Sequence, residues 1–145
     1  MLKRILKLLI LLLIVGQFIR PTRTAEPVDP AADLIAVTKP SSEVEHLLRV
    51  SCYDCHSGQP RYPWYMNITP VNWWLQGHIN EAREHFDASA WGAVTPKRRA
   101  HWAEEATEMV KEKEMPLNSY TWTHADARLT DGQREQLTTF FNGLR

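Results

Sequence analysis

Cysteine occurs only twice in the 145 residues, as Cys52 and Cys55. A structural zinc centre usually takes four ligands, and the chain has neither a second cysteine pair nor a histidine pair at finger spacing to complete one. A surplus of charge is missing as well, because 17 lysines and arginines face 17 aspartates and glutamates. With no basic field to attract phosphates, nucleic acid is not an expected partner. Internal repeats are absent, and apolar residues hardly ever alternate at period two. Helical spacing dominates instead, so the expected fold class is all-α. Setting aside the N-terminal 40 or so residues leaves about 105, enough for one compact core.

The two cysteines stand in the run Cys52-Tyr53-Asp54-Cys55-His56. CxxCH is the pattern by which a chain holds haem covalently and also ligates its iron. Each thiol can add across one haem vinyl group to give a thioether, and the histidine after the second cysteine is carried under the iron. His56 is the candidate proximal ligand, and one covalently attached haem c is the implied cofactor. A thioredoxin-type pair would want a βαβ setting, which residues around 52 do not offer. A plain disulfide would leave His56 without a role. Six tryptophans, at 64, 73, 74, 91, 102 and 122, suit either the wall of a pocket for a flat apolar macrocycle or an ordinary core.

The N-terminus reads as an export or anchoring signal, with Lys3, Arg4 and Lys7 ahead of an apolar stretch broken only by Gly16 and Gln17. Around Ala25 the surroundings suit cleavage poorly, since Arg23 occupies the position where a small residue is wanted. Leu2 to Ile19 gives 18 residues, near the short limit of a helical span. The expectation is an uncleaved signal anchor over residues 1–20, a Pro-rich tether over 21–41 and a domain over 42–145. Haem attachment of this kind follows export. A single-pass protein of the cytoplasmic membrane, its domain facing the periplasm, is therefore expected.

Within the domain, Ser42 with Glu45 makes a capping-box pattern, and Val44, Leu47 and Leu48 form a stripe running into Cys52. Thr69-Pro70 opens a second helix, on which Val71, Trp74, Leu75, His78, Ile79, Ala82, His85 and Phe86 share a face. Thr95-Pro96 opens a third, bearing Ala103, Ala106, Met109 and Val110, which the Met115-Pro116 pair ends. Thr130 with Gln133 caps the last, whose Leu137, Phe140, Phe141 and Leu144 are the buried face.

The CYDCHS run at 52–57, RYPWY at 61–65, VNWWLQGHINEAREHF at 71–86 and EMPLNSYTWTHADARLT at 114–130 resemble the bacterial haem-binding domain family built on CxxCH. The order of elements is similar to a class I cytochrome c. This resemblance implies a small cytochrome c-like helical domain around one haem, sometimes joined to cytochrome or di-haem peroxidase modules. It also marks Met115, 59 residues after His56, as similar to the distal methionine of such cytochromes. Thioether and imidazole together would raise the reduction potential. A core methionine ending a helix explains Met115 too. His78 is the alternative sixth ligand, because a histidine on an apolar helix face needs a buried partner or a metal. Met109 is constrained by its helix.

Arg61, Tyr62 and Trp64 are candidates for a haem propionate, or residues of a surface loop. Lys97, Arg98 and Arg99 could steer an acidic partner, or form a solvated face. The leading expectation is a membrane-anchored monohaem electron carrier serving a redox partner protein and not an enzyme. A peroxidase-like or gas-binding protein would need an open sixth position and a mobile-proton group such as His78 or His124. A haem-free module with a Cys52–Cys55 disulfide is the third class.

Overall fold

A computed structural model describes residues 1–23 and 27–145. Ala25, on which the cleavage reading turned, lies outside them. All the regular elements among the described residues are helical: α1 (Leu2–Gly16), α2 (Leu34–Thr38), α3 (Ser42–Ser51), α4 (Tyr53–His56), α5 (Val71–His85), α6 (Pro96–Lys111), α7 (Asn118–Thr121) and α8 (Asp131–Asn142), joined by short 3-10 turns. Helices α6 and α8 pack side by side, α3 lies against α8, and α4 bridges α3 and α5.

Side-chain caps set the starts of α2, α3, α6 and α8. Thr95 caps α6 by accepting from the Arg98 amide at 3.3 Å, with Pro96 at the first helical position. Thr130 and Gln133 form a reciprocal capping box on α8. At the start of α3 the cap is Ser41, not Ser42, and its hydroxyl accepts from the Val44 amide at 3.3 Å. Helix α6 stops at Lys111, before Met115-Pro116, because Lys113 turns left-handed with φ 65°.

The core gathers Leu47 and Leu48 of α3, Trp102, Ala103 and Val110 of α6, and Leu137 and Phe141 of α8 around Phe86. The Phe86 ring meets Trp91, Trp102 and Phe141 edge-on, with centroids 6.1, 5.9 and 6.0 Å away. Trp91 and Trp102 are thus core residues. The other four tryptophans are exposed, and none of the six lines the cavity described below.

Two expectations about the N-terminal region are corrected. α1 has 15 residues, about 22 Å at the usual rise per residue, against roughly 30 Å of hydrocarbon in a bilayer. No helix among the described residues is long and apolar enough to cross a membrane. The signal anchor and the single-pass placement in the cytoplasmic membrane are accordingly not supported. The 18-residue apolar count ran past the point where helix α1 ends. There the Gln17 amide engages the domain, donating to the Thr69 carbonyl at 3.1 Å and accepting from the Thr69 amide at 3.0 Å.

Residues 32–34, within the stretch read as a tether, contact the domain. Asp33 caps α2, Leu34 is fully buried in the core, and Tyr53 of the CxxCH run donates to Asp33 at 2.8 Å. The Gly92 amide donates to the Ala32 carbonyl at 2.7 Å, so close that a Cβ at Gly92 would lie 2.9 Å from the Ala32 Cα. This segment therefore contributes to stability. Leu34→Ala should cost about 2–5 kcal/mol, the usual range for emptying a leucine site in a core. Denaturant unfolding checks this, and a loss under about 0.5 kcal/mol, as for a surface change, would show the segment to be a passive tether.

Candidate functional site

Helix α3 delivers the CxxCH run. It ends at Ser51, and Cys52 then serves both as its C-cap and as the start of α4. Amides of Cys55 and His56 both donate to the Cys52 carbonyl, at 3.1 and 2.9 Å, which winds the motif into one tight turn. Cys52, Cys55 and His56 consequently face one way, into a cavity of about 330 Å³. Cys52 and Cys55 are free thiols.

The cavity is bounded on one side by the motif and on another by the α5 face carrying His78, Ala82 and Phe86. Helix α6 contributes Ala106, Met109 and Val110, and α8 contributes Leu137 and Phe141. The last wall is the loop from Met115 to Leu117, with Tyr120 beyond it. The α5 stripe read from the sequence is therefore shared between cavity and core, while Asn72 and Gln76 on the same helix are buried polar residues.

His56 is held by its Nδ1, which donates to the Phe86 carbonyl at 2.9 Å. A carbonyl can only accept, so Nδ1 carries the proton and Nε2 keeps its lone pair. Phe86 offers that carbonyl because it is the extended C-cap of α5, where the helical hydrogen-bond ladder has stopped. Its ring also lies 5.3 Å from the imidazole. Desolvation by burial pushes the imidazole pKa down, only partly opposed by that carbonyl. The neutral, ligating form is favoured.

A second network fixes the middle of the motif. Asp54 is buried and accepts from Arg61 Nε at 2.8 Å, Arg61 Nη2 at 3.2 Å and the Tyr120 hydroxyl at 2.9 Å. Tyr120 also reaches the Val50 carbonyl at 3.1 Å. Arg61 is exposed at its other side, so solvent screens the pair and its contribution is mainly geometric. Arg61 is thus engaged with the motif turn. Tyr62 lies within 3.4 Å of Gln76, and Trp64 is exposed.

The sixth-ligand candidates separate by surroundings. Met115 and Met109 both line the cavity, as does His78. His78 packs edge-on against Trp74 at 4.7 Å and lies 3.9 Å from Glu81. His85 stands at the rim, paired with Glu105 at 2.9 Å. His124 is outside the cavity lining, stacked on Tyr120 at 4.0 Å. Three residues that shape the site carried no role in the sequence reading: Asp54, Tyr120 and Arg134. All act through contacts distant in sequence, and only the Asp54 position inside CxxCH offered a local hint.

The donor set and its surroundings fit a haem. Two thiols and one imidazole with an unprotonated Nε2 converge on an apolar cavity with further sulfur and imidazole donors in its walls. Ser51, another lining residue, has its hydroxyl oxygen buried with no hydrogen-bond partner among the described residues. Fold and site together define a small all-helical haem-binding protein. The family model for the haem-binding domain matches residues 11–143, and the chain belongs to that family. No curated protein and no solved structure matches it.

The thiols have a measurable signature in the haem-free protein. Burial pushes Cys52 up to about 12, with Cys55 adding to it, and Cys55 up to about 11, with Asp54 adding to it. Reactive redox cysteines are shifted the other way. In the haem-free protein at pH 8, the thiolate fraction and with it the alkylation rate should be lower than for a free cysteine, whose pKa is near 8.5, by on the order of a hundredfold at Cys55 and a thousandfold at Cys52. Because the folded chain holds these protons more tightly than the unfolded one, this contribution to stability is complete below about pH 9 and is lost as pH rises towards 12. Rapid alkylation at pH 8 in the folded state would contradict the burial of the thiols.

Proposed function

We propose that this haem-binding domain is a monohaem c-type electron carrier. In this reading Cys52 and Cys55 would hold the haem, each thiol adding across one vinyl group so that sulfur takes one vinyl carbon and the thiol hydrogen the other. His56 would hold the iron through Nε2, with Met115 as the sulfur donor. When bound, the group supplies reversible one-electron iron chemistry. The chain would supply attachment through Cys52 and Cys55, an apolar surround, and nitrogen and sulfur donors from His56 and Met115.

The observation that carries the reading is the convergence of Cys52, Cys55, His56 and Met115 on one apolar cavity. A carrier needs no substrate site, and a filled sixth position leaves the iron closed to small ligands. A redox partner protein, such as a cytochrome or a di-haem peroxidase, would accept or donate the electron. His78 in the same wall supports the second reading, a haem enzyme or gas sensor whose sixth position opens.

The discriminating experiment adds cyanide, carbon monoxide or peroxide to the haem-loaded protein. An electron carrier shows no immediate spectral change, whereas Met115→Ala keeps its haem, lowers the potential and binds added ligands promptly. Prompt ligand binding by the unaltered protein would favour the enzyme or sensor. An unaltered spectrum and potential in Met115→Ala would remove Met115 as a ligand and move the assignment to His78.

A further inference from the structure

The inference that follows rests on Met115 being the iron's sulfur ligand, as proposed above. Met115 lies in the non-helical stretch between Lys111 and Asn118, where no regular hydrogen-bond ladder fixes the backbone. Such a stretch has conformational freedom to lose, and a ligand carried on it binds well only if that freedom is already gone.

The loop is folded back on α6 in two ways. Past the left-handed Lys113, the amides of Glu114 and Met115 both donate to the Met109 carbonyl at 3.0 Å. From α8, Arg134 Nη1 donates to the Met115 carbonyl at 2.7 Å and to the Val110 carbonyl at 3.0 Å. The guanidinium is planar and always charged, so one nitrogen ties the backbone of Met115 itself to the last turn of α6.

We propose that Arg134 is a positioning residue for the sixth ligand: by gripping the Met115 carbonyl from α8, it fixes the direction in which the methionine side chain enters the haem cavity. The Met115 sulfur would then be in place before a haem binds. Nothing in the CxxCH motif or the Met-Pro pair specifies this arginine. It sits 19 residues beyond Met115, in the first turn of α8.

Cyanide affinity of the haem-loaded protein reads the position of Met115, because cyanide must displace the sulfur. Arg134→Gln should raise apparent cyanide affinity about tenfold, with Arg134→Lys between the two, as the population with the sulfur detached grows. Asp131→Asn breaks the neighbouring exposed Lys113–Asp131 pair, 2.7 Å long, without touching the Met115 carbonyl, and should leave the affinity within about twofold. In a Met115→Ala background Arg134→Gln should add nothing, which a merely structural role for the arginine would not produce.

Tight cyanide binding by Met115→Ala together with unaltered affinity in both Arg134 variants would overturn the positioning role and leave the axial assignment standing. Equal affinity in Met115→Ala and the unaltered protein would overturn the axial assignment and this inference with it. If Arg134→Gln fails to fold, Arg134→Lys carries the comparison, and an affinity equal to that of the unaltered protein in it counts against the proposal.

Discussion

The hydrogen bond from His56 Nδ1 to the Phe86 carbonyl is the constraint on which the site depends. It settles the tautomer, leaves Nε2 as the only nitrogen able to meet a metal, and fixes the plane of the ring. Its acceptor exists because α5 ends there, and Phe86 cannot move because its ring is held among Trp91, Trp102 and Phe141. The orientation of the imidazole is thus inherited from the packing of the whole helical core.

The remaining walls follow from the same packing. The pairing of α6 and α8 supplies the apolar floor, and the Asp54–Tyr120 hydrogen bond ties the motif turn to the loop that carries Met115. Arg61 completes the coordination of Asp54, while Arg134 holds the other end of that loop. Polar contacts are few in the cavity itself, as a flat apolar ligand requires, and are concentrated behind the residues that face it.

The CxxCH run was legible because it is contiguous, five residues whose pattern is seen without knowledge of the fold. Helix starts marked by Thr95-Pro96 and by Thr130 with Gln133 were legible for the same reason, since caps act over three residues. What could not be read was non-local. Leu34 lies in a proline-rich stretch that looks like a linker, yet it is buried in the core, and only the assembled fold shows the gap it fills. The N-terminal apolar run misled for a related reason: hydropathy counts residues, whereas α1 ends where the Gln17 amide meets Thr69, 52 positions away. Arg134 has no sequence signature, because an exposed-face arginine on a helix looks the same whether it meets water or a carbonyl.

The measurement that tests the account most directly is the intact mass of the protein, expressed with a haem-attachment system and denatured before weighing. One haem retained per chain, and lost from covalent attachment when both Cys52 and Cys55 are replaced by alanine, is the predicted result. A mass equal to the bare polypeptide, under conditions where a control cytochrome matures, would contradict covalent attachment and leave Cys52, Cys55 and His56 without the roles assigned to them.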